Sequence, residues 1–141
     1  MLAEMGLAIP TEEIFNPPAA LLHFFEKNPE KSAYLLVTED VRQLFTHIKQ
    51  PKETADFVVI GDVRGANLYE RLNQAFRYLE EGAGLIALQE SLRYYTVEGA
   101  HLDTGAFVQL LEYASKKERR LIGKPAPEFF HLALDLSLIH I

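Results

Sequence analysis

Residues 121–130 read LIGKPAPEFF, a short apolar segment that passes directly into the start of a helix. Gly123 ends the apolar segment, and Lys124 follows it. Pro127 suits the first turn of a helix, because a backbone N–H at that position would have no partner within the helix. The stretch therefore predicts a strand-to-helix junction with Lys124 near a helix N-terminus, where anions are favoured. A lysine ~4 Å from a phosphoryl oxygen gains ~4 kcal/mol at an effective dielectric near ~20, before desolvation. Phosphate binding is the first hypothesis, and a solvated loop lysine is the alternative.

Short β-prone apolar runs and helical patterns alternate along the rest of the chain. The runs occupy residues 33–37, 57–60, 85–88 and 121–122 and suit strands that are buried on both faces. Between them, apolar side chains recur at helical spacing over residues 41–48, 68–79 and 107–114. This alternation predicts a single α/β unit rather than an all-helical or all-β fold.

Capping and turn residues give the expected bounds of these elements. Thr38 and either Asp103 or Thr104 are candidate helix caps, and Asn67 with Glu70 three positions later fits a capping box, with the helix ending at Gly82. Residues 93–97, followed by a Glu98–Gly99 turn signal, predict an edge strand or one arm of a hairpin.

Three other segments are predicted to be a helix boundary, a connection and a helix end. Pro17–Pro18 is expected to separate the start of the chain from a helix that carries the apolar residues of 21–25. The glycine-containing run at residues 61–65 predicts a plain connection, because its match to a glycine-loop motif is weak. The basic cluster at residues 116–120 is interpreted as a solvated helix end rather than a nucleic-acid patch.

The amino-acid composition excludes several kinds of site and argues against one class of function. The chain has 141 residues, 48% of them hydrophobic, and a formal net charge of -6, which fits a soluble globular protein and argues against a dedicated nucleic-acid binder. Cysteine is absent, so disulfides, thiolate nucleophiles and zinc–thiolate sites are excluded. Residues 1–10 lack a basic leader, and no apolar run is long enough for a membrane span. We therefore expect a cytoplasmic location and no membrane partner.

Other titratable residues give no independent signal for a catalytic or metal site. The histidines, at positions 23, 47, 101, 131 and 140, show no metal-ligand spacing. The adjacent acids at 12–13, 39–40 and 80–81 do not face one another, and helix-dipole compensation accounts for the first two pairs.

A series of motifs in a consistent order resembles a known family. The motifs are VVIGD at 58–62, YERLNQAFR at 69–77, EGA at 81–83, LIALQ at 85–89, RYY at 93–95, LDTGAF at 102–107, LEYA at 111–114 and GKPAPEFF at 123–130. Over roughly residues 1–134 the chain resembles haloacid dehalogenase-like hydrolases of subfamily IIA. A whole series is far more specific than any one of its members.

The resemblance implies a phosphohydrolase with a doubly wound core and a large α/β cap. Such enzymes use an aspartate nucleophile, a second aspartate as general acid/base, a Ser or Thr, a lysine and magnesium-binding acids, and they act on small phosphorylated compounds or pyrophosphate through a phosphoaspartyl intermediate. Lys124 matches the lysine as a catalytic and substrate-binding residue. The cap of such a family shapes specificity, so Gln89, Asp103 and Gly105 are implied to face the substrate. The alternative readings are a helix cap for Asp103 and a turn for Gly105.

The resemblance also implies a division of the chain. Residues 1–119 correspond mainly to the cap, residues 120–136 to the start of the returning core with the lysine motif, and residues 137–141 to a truncated or foreign tail. Caps of this subfamily often contribute to homodimers, so a homodimer is a further expectation.

The chain departs from the family pattern at the reacting groups. It contains no Asp-x-Asp followed by Gly-Thr and no Gly-Asp-Asp after Lys124. We expect a fragment that binds no magnesium by itself and has no phosphatase activity alone, since both the covalent nucleophile and the metal ligands are missing. The alternative is a non-catalytic binding or dimerisation module of the same ancestry.

Overall fold

The computed structural model describes residues 16–138, apart from the side chains at 128 and 135–138. Its helices are α1 (Pro17–Lys27), α2 (Glu39–Gln43), α3 (Leu68–Glu80), α4 (Thr104–Ser115) and α5 (Pro127–Leu138). Its strands are β1 (Ala33–Leu36), β2 (Phe57–Ile60), β3 (Gly84–Ala87), β4 (Arg93–Thr96), β5 (Gly99–Leu102) and β6 (Arg119–Leu121). The expectations for residues 1–15 and 139–141, including Glu12–Glu13, His140 and most of the tail, lie outside the described residues.

A parallel sheet with the strand order β1-β2-β3-β6 organises the molecule. Side chains that alternate along each strand enter two apolar cores, one on each face of the sheet. Leu35, Val59 and Ile86 pack with α1 and Phe129. Leu36, Val58 and Leu85 pack with α3 and α4. Burial on both faces explains why the strands read as continuous apolar runs, and it confirms the predicted α/β fold.

The antiparallel pair β4-β5 forms a separate hairpin, in which Arg93 is opposite Leu102 and Thr96 is opposite Gly99. The sequence prediction of a hairpin arm at residues 93–97 is confirmed. The hairpin lies between the end of β3 and the start of α4, so it is inserted at the edge of the sheet where the parallel strands end. We call this edge the carboxyl edge.

Two of the predicted caps differ from the structure. Asn67 precedes α3 as expected, but its backbone is left-handed, with φ of 55°, and its side chain makes no cap hydrogen bond. The capping-box prediction is therefore wrong, and the Asn67 carbonyl instead accepts from the Arg71 N–H at 3.0 Å. Thr38 stands at the N-cap of α2 without a side-chain bond. Asp103 does cap α4, since its carboxylate accepts from the Thr104 N–H.

The helix expected over residues 41–48 is shorter than predicted. α2 ends at Gln43, and tighter turns follow, in which Phe45 donates to the Arg42 carbonyl and Ile48 donates to the Phe45 carbonyl. Phe45 and Ile48 are nevertheless buried. Apolar spacing thus identified the buried positions, but it could not distinguish one regular helix from successive three-residue turns.

The bounds of α1 and α4 bear on two other predictions. The helix predicted after Pro17–Pro18 begins at these prolines, which form its first turn, where the Asn16 side chain accepts from the Ala19 N–H. Arg119 and Arg120 are not a solvated helix end, because α4 ends at Ser115 and both arginines belong to β6. β6 pairs with β3, so the expected division at residue 119 falls within a strand of the sheet. Across residues 16–138, no helix is long and apolar enough to cross a membrane.

Candidate active site at the carboxyl edge of the sheet

Lys124 lies at the carboxyl edge, between the end of β6 and the start of α5. It lines a cavity of about 430 Å³ together with the segment Leu88–Ser91, Pro17 and Pro125. The edge beyond the carboxyl ends of parallel strands is the usual ligand position in open α/β sheets. Lys124 is exposed, and its ammonium group lies 5.7 Å from the centre of the Phe129 ring. Among the side chains that the structure describes, no carboxylate forms an ion pair with it.

Close backbone packing fixes the Lys124 segment against the loop after β3. A Cβ atom added at Gly123 would lie 2.0 Å from the Leu88 carbonyl oxygen. The Gly123 carbonyl accepts from the Ala126 N–H at 3.0 Å as the chain turns into α5. Only glycine permits this approach, so the glycine before Lys124 determines where the lysine leaves the sheet.

Gln89 lines the same cavity, and hydrogen bonds hold its side chain. Its Nε2 donates to Asp103 Oδ1 at 2.8 Å and to Thr104 Oγ1 at 2.9 Å. Asp103 Oδ1 also accepts from the Thr104 N–H at 2.7 Å. Thr104 is 2% exposed, and its hydroxyl donates to the Gly61 carbonyl at 2.9 Å. This network joins the loops after β2 and β3 to the start of α4.

Gly105 is buried in the first turn of α4, directly behind the cavity loop. Its N–H donates to the Ser91 carbonyl at 2.9 Å, and an added Cβ atom would lie 2.2 Å from the Glu90 carbonyl oxygen. Gly105 is thus neither a turn nor an exposed loop residue. Its contacts are with the backbone of the loop that carries Gln89.

A second cavity, of about 220 Å³, adjoins the hairpin. Asp103 lines it with Asp62, Arg64 and Tyr94. Arg64 pairs with Asp62 through two groups of its guanidinium, and it lies 5.8 Å from the centre of the Tyr94 ring. Hydrogen bonding from Arg64 holds the pKa of Asp62 below its usual range, and the same contact raises the pKa of Arg64. The sequence predicts residues 61–65 only as a connection, and nothing in their spacing indicates this ion pair.

Glu90, which lines the Lys124 cavity, is paired with Arg119. Arg119 Nη2 lies 2.8 Å from Glu90 Oε2, and Arg119 Nη1 lies 2.8 Å from Glu112 Oε2. The Arg119 backbone N–H also donates to Glu112 Oε1 at 2.8 Å. Hydrogen bonding to Glu90 is the largest influence that raises the pKa of Arg119. Sequence analysis missed this pairing because its members are 29 residues apart.

Of the four site residues that the resemblance implies, Lys124 and Gln89 share one cavity. Asp103 is hydrogen-bonded to Gln89 but lines the neighbouring cavity, and Gly105 supports the loop from behind. The described residues do not fit a magnesium ion, because none of them form a group of three histidine or carboxylate side chains that could hold a metal.

Comparison with known proteins identifies relatives of the chain, although no protein-family model matches it. The mouse phospholysine phosphohistidine inorganic pyrophosphate phosphatase is 34% identical over 137 residues, which are 96% of this chain and 50% of that protein. The mouse haloacid dehalogenase-like hydrolase domain-containing protein 2 is 35% identical over 133 residues, which are 94% of this chain and 50% of that protein. The chain thus spans about half the length of these curated relatives.

Solved structures of phosphatases share the fold of this chain. A variant of the thermostable p-nitrophenylphosphatase from Bacillus stearothermophilus matches with a TM-score of 0.85 and 25% identity, over 96% of this chain and 54% of that one. The p-nitrophenyl phosphatase from Archaeoglobus fulgidus matches with a TM-score of 0.86 and the same coverage at 22% identity, which supports the fold alone. The resemblance seen in the motif series is therefore confirmed: this chain is homologous to haloacid dehalogenase-like hydrolases over about half of their length.

Proposed function

We propose that this chain supplies the cap and the lysine segment of a phosphohydrolase, and that Lys124 binds the phosphoryl group of the substrate. The observation that carries the proposal is the position of Lys124, in a cavity at the carboxyl edge and next to the start of α5. Its ammonium could attract a phosphoryl oxygen, and the helix N-terminus adds partial positive charge. In the whole protein, Lys124 would neutralise phosphoryl charge as the reaction proceeds.

The names of the relatives support a proposal for the substrate class. One relative is named as a phosphatase of phospholysine, phosphohistidine and inorganic pyrophosphate. We accordingly propose small phosphorylated compounds or pyrophosphate as substrates. Gln89 and Asp103 would contact the part of the substrate beyond the phosphoryl group, because they are hydrogen-bonded together and line adjacent cavities. Gly105 would act through the Glu90–Ser91 backbone that it supports.

The proposed division assigns residues 1–119 to the cap, 120–136 to the returning core and 137–141 to a tail. Magnesium dependence belongs to the same proposal for the whole protein. Because the described residues hold no fitting group for the ion, its ligands would come from other residues. The names of the relatives, which are phosphatases and hydrolases, do not favour the alternative of a non-catalytic module.

Two finer proposals concern the whole protein, namely a cytoplasmic location and a homodimer formed through the cap. Leu110 and Tyr113 on α4 are 50% and 80% exposed and offer apolar surface for a subunit contact. Sedimentation of the chain over a range of concentrations tests the dimer, and a monomer at every concentration would contradict it.

Phosphate binding tests the proposed role of Lys124. Orthophosphate is titrated into the isotope-labelled chain while backbone amide shifts at residues 88–91 and 123–126 are followed. A single lysine attraction of ~4 kcal/mol before desolvation sets a dissociation constant of about 1 mM or weaker. We expect Lys124→Gln to weaken binding at least about fivefold. The matched control is Lys52→Gln, an exposed lysine in the loop before β2, which should leave binding unchanged. Equal binding by both variants would contradict the proposal.

A further inference from the structure

Glu90 and Lys124 line one cavity without pairing with each other. The Glu90 side chain is 36% exposed, and its Oε2 lies 2.8 Å from Nη2 of Arg119. A carboxylate that was free in this cavity would compete for the Lys124 ammonium and repel an incoming phosphate. The pairing of Glu90 therefore bears directly on what Lys124 can bind.

Arg119 is itself held from a second side. Glu112 on α4 accepts from the Arg119 backbone N–H and from its guanidinium, both at 2.8 Å. The Glu112 side chain is 20% exposed and that of Arg119 is 30% exposed, so water screens this arrangement less than it screens an ordinary surface pair. Because the two oxygens of the Glu112 carboxylate hold both its backbone and its side chain, Arg119 is preorganised to bind Glu90.

We propose that Arg119 is a positioning residue that neutralises Glu90 and thereby keeps Lys124 open to phosphoryl oxygens. This inference rests on the proposed function and deepens it, because it identifies what sets the charge of the phosphate cavity. Arg119 does not itself line the cavity among the described residues, so it acts through Glu90.

Orthophosphate titration of charge variants tests the inference in the full 141-residue chain. Arg119→Gln leaves Glu90 unpaired and should weaken phosphate binding about twofold to fivefold, because water screens one added charge strongly at side chains that are 30% and 36% exposed. Glu90→Gln removes the negative charge and should tighten binding by a similar factor. The double variant restores neutrality and should bind about as the parent chain does.

Glu53→Gln is the matched control, because it removes one exposed carboxylate from the loop before β2, at the opposite edge of the sheet from the cavity. Binding should change by less than about 1.5-fold. The inference is overturned if Arg119→Gln binds like the parent, or if the double variant is as weak as Arg119→Gln. Should Arg119→Gln fail to fold, Glu90→Gln decides alone, and unchanged affinity overturns the inference. Failure of the proposed function would appear differently, as phosphate binding that Lys124→Gln leaves intact.

Discussion

The buried hydroxyl of Thr104 donates a hydrogen bond to the carbonyl of Gly61 at 2.9 Å, across 43 positions of sequence. Thr104 opens α4, and Gly61 directly follows β2. The same hydroxyl accepts from Gln89, so one side chain joins three segments at the carboxyl edge. The geometry of both cavities depends on this contact, since each is lined by residues from these segments.

Replacing Thr104 with valine should lower the free energy of unfolding. Thr104→Val keeps the shape but leaves the Gly61 carbonyl and one Gln89 N–H without partners, and each unsatisfied buried group costs ~1–3 kcal/mol. Thr104→Ser retains the hydroxyl, so its loss of stability should be less than about half that of Thr104→Val. Urea unfolding of the three proteins measures the difference. Equal stability of the valine and serine variants would show that the hydroxyl is unimportant.

Gly105→Ala should disrupt the loop that carries Gln89. The added Cβ would meet the Glu90 carbonyl oxygen at 2.2 Å, so the backbone must shift rather than a flexible side chain. We expect a loss of about 3 kcal/mol or more, at or above the upper end for overpacking. Gln109→Ala, at an exposed position of the same helix, is the control and should change stability by less than ~0.5 kcal/mol. Thermal unfolding gives both values, and a Gly105→Ala protein as stable as the control would contradict the packing.

Asp56 should make stability depend on pH in the acid range. The Ser32 N–H and hydroxyl and the Lys31 ammonium donate to its carboxylate at 2.9, 3.0 and 3.1 Å. The Ser32 backbone hydrogen bond is the main cause that lowers the pKa of Asp56 below its usual value. Because the folded-state pKa is lowered, the stabilisation is present above the unfolded pKa of ~3.9 and is lost as pH falls through the folded-state value.

Asp56→Asn should therefore be less stable than the parent at pH 7, by about 1 kcal/mol after allowance for the exposure of the group. The difference should shrink as pH falls below ~4. Melting temperatures measured from pH 7 to pH 2.5 test this, with Glu98→Gln at an exposed position of the turn between β4 and β5 as the control. A stability difference that is constant over this range would exclude the carboxylate as the cause.

The chain alone should not hydrolyse phosphate esters. It contains no Asp-x-Asp motif to supply a nucleophile and a general acid/base, and its described residues hold no group of three metal ligands. Purified chain assayed with p-nitrophenyl phosphate and magnesium should stay at background. Metal-dependent turnover that Lys124→Ala abolishes would overturn this prediction.

The sheet could be predicted from the sequence because its strands are buried on both faces, so that VVI in β2 and LIA in β3 read as unbroken apolar runs. The bounds of α2 could not be predicted from the sequence, because turns bury Phe45 and Ile48 as well as a helix would. Asn67 has the residue type of a cap, yet its left-handed backbone leaves α3 without a side-chain cap bond. Local pattern thus predicted burial more reliably than backbone geometry.

In the candidate site, too, local sequence predicts some features and not others. Lys124 could be found from its neighbours in sequence, since a strand, a glycine and a helix start follow one another there. The pairing of Arg119 with Glu90 and the bond from Thr104 to Gly61 join positions far apart in the chain. No spacing rule relates such positions, and only the tertiary fold brings them together.

The most direct test of the central claim is the ¹⁵N chemical shift of the Lys124 side-chain ammonium during an orthophosphate titration. If Lys124 holds the phosphoryl group, its signal should move and saturate together with the backbone amides of residues 88–91, while the Lys52 signal stays in place. A Lys124 signal that remains unchanged while those amides shift, or that moves only in parallel with Lys52, would contradict the account.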